Sequence, residues 1–455
     1  MTTADLRGIA EVAPRVRAGD VSPVDLVTGC LAQIEARPTV NAFISVLKDS
    51  ALQAAAVAER DIRVGRYHGP LHGIPIAVKD LIDVAGTPTT AGSAVPSKEA
   101  AIDAPVVRRL REAGAIIIGK TNLHEFAFGT TSDESAFGPV RNPIDESRSA
   151  GGSSSGSAAA LAAGMCFGAL GTDTGGSIRI PSAACGTFGL KPTFDEITCD
   201  GIVPLAVSLD HVGPMARSVE DLGLLYQALK GMTGGWSLET KERFVFGVPK
   251  PYFFDRLESG ARDAVTRACE ALAAAGHDVV DVEIAHASWT PHVYLHLVLA
   301  EAAWYHAPLL EQHGTSYSPG VRLRLEMGRY VLGEDYVRAS RLRDVLRREV
   351  SRALEPCDAL LLPALPIPAP LLGASTVAID QTIEPVRAVM LRLTQLFNVT
   401  GHPAIAMPAR WSPDSMPRGL QLVGALNHAP RLLEIAAAVE PQICGGPGSV
   451  GGGTG

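Results

Sequence analysis

The sequence predicts an α/β fold, a covered sheet of parallel or mixed strands with helices packed against it. Short apolar runs of strand length alternate along the chain with longer stretches whose apolar residues recur at helical spacing. Hydrophobic residues make up 46% of the 455, enough for a large buried core. Length alone allows about three domains at roughly 150 residues each, but large α/β enzymes exceed that as one unit. A single domain over residues 1–442 is expected, with a Gly-rich disordered tail over 443–455.

Ser22 is an N-cap with Pro23 at the first helical position, and Val24, Leu26, Val27, Cys30, Leu31 and Ile34 follow at amphipathic spacing. Residues 41–47 then read as a short strand and 51–66 as a helix. The run 74–78 is a buried strand that delivers Lys79 and Asp80 at its C-terminal end. A helix over 105–113 and a strand over 115–118 repeat the alternation. From 141 to 191 the composition shifts to Gly, Ser, Ala and Thr in two clusters, 151–157 and 171–177. The first cluster runs into a helix former, 158–163, and the second is bracketed by the apolar 167–170 and 178–180, which fits poorly with a flexible linker. Further helices are expected over 219–230, 260–275 and 336–354. In the last, six arginines interleave with Asp344 and Glu349, the pattern of a solvated face. The uncharged stretch 359–379 is long enough to span a bilayer, but Pro363, Pro366, Pro368 and Pro370 break any such helix. It reads as a strand end followed by a Pro-rich loop.

Charge and composition exclude several function classes. With 40 basic against 48 acidic residues the net charge is −8, and no basic block offers a nucleic-acid groove or a membrane-surface anchor. Residues 1–19 carry Asp5, Arg7, Glu11, Arg15 and Arg17 without an apolar run, so no secretory signal is expected and the location is expected to be cytoplasmic. Seven scattered cysteines contain no C-x-x-C pair, which argues against a zinc ribbon or a disulfide framework. Residues 114–121 match a phosphate loop formally. Ala115 and three isoleucines fill the space between the glycines, however, and those residues are themselves a strand. His124-Glu125 begins a zinc-protease pattern, but Phe128 stands where the second imidazole belongs. No G-x-S-x-G elbow follows a convincing strand. Neither a metal nor a cofactor is expected.

What remains is Lys79, presented from a hydrophobic strand, and the two Ser/Gly clusters. An amine in an apolar setting loses solvation of its charged form, so its pKa falls toward the range of a working base. A serine hydroxyl needs such a base within reach, directly or through a relay. Thr174-Gly175-Gly176-Ser177 offers consecutive N–H groups free of bulky side chains, the kind of backbone that forms an oxyanion hole. Taken singly, Lys79 reads as well as a strand-end surface lysine and Ser177 as a helix N-cap.

The run 70–80 (PLHGIPIAVKD), then 119–122 (GKTN), the two Gly/Ser clusters and 189–193 (GLKPT) closely resemble the amidase signature family of serine hydrolases. The resemblance is dense over about 70–214 and weaker at 398–403 (NVTGHP) and 419–424 (GLQLVG). It implies a central mixed β-sheet covered by helices on both faces. It also implies a Ser-Ser-Lys triad: Ser177 as nucleophile, Ser153 as a bridging serine in a cis peptide, and Lys79 as the base. In the family pattern the bridging serine lies 24 residues before the nucleophile, which selects Ser153 over Ser154 and Ser155. The N–H groups of Thr174, Gly175, Gly176 and Ser177 would surround the oxyanion, Ala127 would line the acyl pocket, and Asp173 and Arg179 would orient the loop.

Two departures from the family pattern stand out. Ser155 replaces a usual glycine, at a cost on the order of 1 kcal/mol if the position needs a positive φ, and Phe194-Asp195-Glu196 replaces an aromatic-Gly-basic segment, which would make the rim more acidic. The expected activity is that of a stand-alone amidase cleaving the C–N bond of a small amide, with carbamates and esters presenting the same carbonyl. The alternatives are the glutamine-hydrolysing component of a tRNA amidotransferase and a non-catalytic interaction protein. The expected partner is the small amide or carbamate substrate, with the chain a monomer or homodimer. Substrate selection is assigned to the variable half, 235–395, around Trp304, Tyr305 and Arg322, which no motif places and whose aromatics read equally as core or pocket.

Overall fold

The computed structural model of the chain describes residues 8–232, 243–409 and 416–444. Its strands are β1 Phe43–Val46, β2 Pro75–Lys79, β3 Ile116–Thr121, β4 Gly168–Thr172, β5 Phe188–Lys191, β6 Val212–Ala216, β7 Val245–Lys250, β8 Asp278–Glu283, β9 Ala359–Pro363, β10 Thr376–Ile379, β11 Thr382–Pro385, β12 Ala404–Pro408 and β13 Gly419–Val423. Eleven of them form one mixed sheet in the order β1-β3-β2-β4-β6-β5-β12-β13-β9-β7-β8, flanked by helices. β2 runs parallel to β3 and β4, and β7 runs parallel to β8 and β9; the remaining pairings are antiparallel. The central strands β2, β3, β4, β5, β6, β9 and β13 are buried along their whole length, which explains their near-continuous apolar runs.

The sequence expectations are met with shifted ends. Ser22 caps the helix Pro23–Ala36 by accepting from Val24 N and Asp25 N. Ser218 caps Val219–Lys230, which Gly231 ends in the left-handed region. The helices predicted over 51–66, 260–275 and 336–354 are observed as Lys48–Arg63, Ser259–Ala274 and Gly333–Leu354. β3 runs three residues past its predicted end and carries Lys120 into the interior, where its ammonium pairs with Asp80 at 2.9 Å. That pairing occupies the lysine of the formal phosphate-loop match. The stretch 359–379 begins as β9, as expected, but ends in β10, which pairs with β11 in a separate two-stranded ribbon. The last helix, Ala429–Ile443, ends where the tail is predicted to begin, and residues 445–455 lie outside the described residues. Among the described residues no helix is long and apolar enough to cross a membrane.

The parallel β2–β4 pair positions the chemistry. Val78 is registered with Leu170, so Lys79 and Thr172 both end neighbouring strands at the same edge, close enough for Lys79 Nζ to donate to Thr172 Oγ1. In α/β sheets this is the edge where ligands bind. The helix Ser155–Ala162 starts over the same edge and is built of small residues because its first turn presses on backbone. A Cβ on Gly156 would stand 2.2 Å from Ala42 O and 2.6 Å from Asn122 O. Alanine gains at most about 1 kcal/mol of helix propensity over glycine, whereas overpacking costs about 1–3 kcal/mol. Gly156→Ala is therefore expected to lower stability by roughly 1–2 kcal/mol or more in urea unfolding, and an unchanged or raised midpoint would contradict this packing.

Candidate active site

Lys79 is fully buried. Its Nζ donates to Ser153 Oγ and to Thr172 Oγ1, both at 2.8 Å. Burial in the low-dielectric interior lowers its pKa from 10.5 to about 7, against the pull of the Asp173 and Asp210 charges, which favour the ammonium. The lysine thus reaches neutral pH with a large uncharged fraction. Ser153 follows a cis Gly152–Ser153 peptide, and its carbonyl accepts from His124 N at 3.2 Å.

Ser177 stands at the turn before the helix Arg179–Cys185 and is only 6% exposed. Its carbonyl accepts from Ser154 N at 3.1 Å, which ties the two Ser/Gly clusters together. The structure therefore brings Lys79 and Ser153 into direct contact and sets Ser177 beside them through the backbone. Among the described residues the Ser177 hydroxyl makes no hydrogen bond. The N–H groups of Thr174, Gly175, Gly176 and Ser177 likewise donate to no protein acceptor among the described residues.

A buried carboxylate explains that open row of donors. Asp173 Oδ2 accepts from Ile178 N at 3.1 Å and Arg179 N at 3.3 Å, consuming the next two N–H groups and closing the loop just past Ser177. Glycine is required in between. A Cβ on Gly175 would meet Tyr294 Oη at 2.6 Å, and Gly176 has φ 140° with Thr394 Oγ1 only 2.2 Å from the same position.

Asp173 in turn faces Arg179 in a bidentate pair at 3.0 Å, both side chains fully buried. Arg179 uses all five N–H donors: Nε and one Nη2 proton on Asp173, the other on Asn398 Oδ1 (2.7 Å), and Nη1 on Thr394 O (3.0 Å) and Gln421 Oε1 (2.5 Å). Asn398 Nδ2 donates back to Asp173 Oδ1 at 2.8 Å. Burial would push the Asp173 carboxyl up, but the charge and hydrogen bonds of Arg179 override it and hold the group well below the usual carboxylate range.

Ala127, Thr172 and Thr174 line a small cleft together with Ile202, Leu205 and Asp210. Ala127 has φ 57° and Phe126 φ 49°, left-handed conformations that cost of order 1–3 kcal/mol each in non-glycine residues. They are held from behind by the Phe126 ring, which packs on His306 and Tyr317 with centroids 4.5 and 5.2 Å away. Asp210 accepts from Thr174 Oγ1 at 2.6 Å, and burial raises its pKa to about 6 despite that bond.

Some expectations are corrected. Ser155 opens a helix with ordinary backbone, so replacing glycine there carries no left-handed strain. Glu196 does not make an acidic rim: its carboxylate turns inward, accepting from Thr193 N at 2.9 Å and from Tyr226 Oη. Trp304 is 73% exposed and Arg322 pairs with Glu326 on the surface, so neither reaches the cleft. From the variable half it is instead Tyr294, Leu391 and Thr394 that touch the nucleophile loop. Sequence reasoning also misses Thr172, Asn398 and Gln421. Each lies inside a segment that stands out in the sequence, the second Ser/Gly cluster and the motifs at 398–403 and 419–424.

A family model described as Amidase matches residues 25–433. An amidase of Pseudomonas putida is 40% identical over 425 residues, covering 90% of this chain and 90% of that protein. The A subunit of the glutamyl-tRNA(Gln) amidotransferase of Chloroflexus aurantiacus is 36% identical over 466 residues, covering 93% and 94%. A crystal structure of an amidase superposes with a TM-score of 0.92 at 39% identity, covering 96% of this chain and all of that one.

Removing one partner of a buried ion pair strands the other charge and costs about 3–5 kcal/mol. Arg179→Met is expected to lose that much in urea unfolding, and a loss below about 1 kcal/mol would show that Asp173 does not depend on it.

Proposed function

The chain belongs to the amidase family of amide-hydrolysing enzymes, and from that premise we propose that it is a stand-alone hydrolase working through a Ser177 acyl-enzyme. The observation that carries this reading is the buried Lys79 amine, 2.8 Å from Ser153 Oγ and with a pKa of about 7, at the foot of a loop with four unpaired N–H groups. In its neutral form the amine accepts the Ser153 proton while still donating to Thr172 Oγ1. Ser153 in turn takes the proton of Ser177 as the Ser177 oxygen attacks the substrate carbonyl. The developing oxyanion is met by N–H groups of residues 174–177, already desolvated and needing no rearrangement. Collapse breaks the C–N bond, and the proton held on Lys79 returns through Ser153 to the leaving amine. Water then enters, gives its proton to the same relay and releases the acid, restoring Ser177.

Asp173 and Arg179 act through the loop they hold rather than on substrate. The cleft is small and Ala127 contributes only a methyl group to its wall, which supports a small acyl group there. Carbamates and activated esters offer the same carbonyl to the same nucleophile and belong to the proposed range. A second reading, an ammonia-supplying component of a larger assembly, rests on the 36% likeness to the Chloroflexus amidotransferase chain. Turnover by the isolated chain separates the two.

Ser177→Ala is expected to lower kcat by about 10⁴-fold or more with the fold retained, because no other group can form the acyl-enzyme. Circular dichroism and a fluorophosphonate adduct, present in wild type and lost in the variant, are the checks. Turnover surviving in Ser177→Ala would overturn the mechanism.

The base is active when unprotonated, so activity is lost as pH falls through its pKa. With that value at about 7, kcat/KM for a chromogenic anilide is expected to drop about tenfold per unit below it. A profile flat down to about pH 5 would remove Lys79 from the role.

A further inference from the structure

The variable half sets side chains over the nucleophile loop that the hydrolysis just described does not use. Tyr294, on the helix Thr290–His313, and Leu391, at the end of the helix Val386–Leu391, close over Gly175. A Cβ on Gly175 would lie 2.6 Å from Tyr294 Oη and 2.9 Å from Leu391 Cδ2. Arg387 stands one turn before Leu391 on the same helix, hence on the same face. Its guanidinium carbon is 5.7 Å from the centre of the Phe128 ring, the residue after Ala127 of the cleft, and Arg324 approaches the same ring at 5.3 Å.

Both arginines bury an Nε without a partner, but they differ in what their other nitrogens hold. Arg324 Nη2 donates to Glu134 Oε2 at 2.8 Å. Glu134 also engages His124 Nε2 at 3.1 Å and accepts from Gly320 N at 2.9 Å, so its carboxylate is committed. Arg387 makes no hydrogen bond or ion pair among the described residues; its Nε is buried without a partner while the side chain stays partly accessible. Tyr294 lies between the two sides of the site, within the fields of Arg387 and Arg324 on one hand and of Asp210 and Asp173 on the other. Burial pushes its phenol up to about 12, so it meets a ligand as a neutral O–H.

A guanidinium with its Nε withdrawn from water and left unpaired is unfavourable until an anion completes it, and its planar fork matches a carboxylate. We infer that Arg387, with Tyr294 beside it, binds a carboxylate carried by the substrate, so that the amide cleaved here is one bearing a carboxylate within a few atoms of the scissile carbonyl, as in the half-amide of a short dicarboxylic acid. This rests on the Ser177 hydrolase reading. The short reach follows from the packing: Tyr294 touches the loop that surrounds the oxyanion, and Arg387 is one helical turn from Leu391, which touches it too.

The test compares ammonia release from succinamate with release from 4-oxopentanamide, a neutral amide of the same length. The unaltered chain is expected to favour succinamate by about 100-fold in kcat/KM. Arg387→Met should cut that ratio at least tenfold, mainly through KM, and Arg387→Lys should restore part of it. Succinamate binding to Ser177→Ala, measured by calorimetry, should weaken at least tenfold when Arg387→Met is added. A wild-type ratio near one, or an unchanged ratio in Arg387→Met, overturns the proposal; because the wild-type comparison needs no variant, a misfolded Arg387→Met does not shield it. In that event the hydrolase reading still stands if Ser177→Ala abolishes release, whereas release that survives Ser177→Ala defeats both.

Discussion

The proposed catalytic geometry depends on one fully buried ion pair, Asp173 with Arg179. Two desolvated charges are expensive, and their attraction compensates only when every remaining donor and lone pair is also used. Here that condition is met by residues from distant parts of the chain: Thr394 and Asn398 ahead of β12, and Gln421 on β13. The pair is thus a joint between the loop that carries Ser177 and the C-terminal strands. The same Asp173 carboxylate consumes the N–H groups of Ile178 and Arg179, which is why the open row of donors stops at Ser177. Neither function can be removed without disturbing the other.

The pair also bears on the base. Lys79 is drawn toward its neutral form by burial and toward its ammonium form by Asp173 and Asp210. Desolvation is the larger effect and prevails over both carboxylates. A neutral amine at the sheet edge is therefore a property of complete burial, and a lysine merely placed at an exposed strand end would not have it.

Much of this is legible in the sequence, for physical reasons that can be named. Strands buried on both faces leave apolar runs, so β2 and β3 are visible, and the glycines under Tyr294 and Thr394 leave a composition no linker would need. The clusters holding Ser153 and Ser177 stand out because close backbone approach demands small residues there. Asn398 and Gln421 lie in recognisable motifs, but their role is hidden because it consists of hydrogen bonds to Arg179 across more than 200 positions. The pocket wall is where sequence reasoning goes wrong. Trp304 attracts attention as an aromatic, yet its side of the helix Thr290–His313 faces outward, while Tyr294, ten residues earlier on that helix, packs on Gly175. Nothing local distinguishes the two, since a helix that is apolar over most of its length gives little sign of which face is inside.

Tyr294, Leu391 and Thr394 rest directly on Gly175 and Gly176, with no room for even a methyl group between them. Close-packed interiors transmit displacement rather than absorb it. A change of residue among these three therefore shifts the N–H groups proposed to meet the oxyanion as well as the proposed recognition wall. That coupling sets a limit on how the variable half can diverge: side chains such as Arg387, one turn away from the contact, can change freely, whereas those seated on the glycines can change only with the loop. Selectivity in this fold is accordingly expected to reside one helical turn back from the nucleophile loop, where a new charge can be introduced without moving the atoms that perform the hydrolysis.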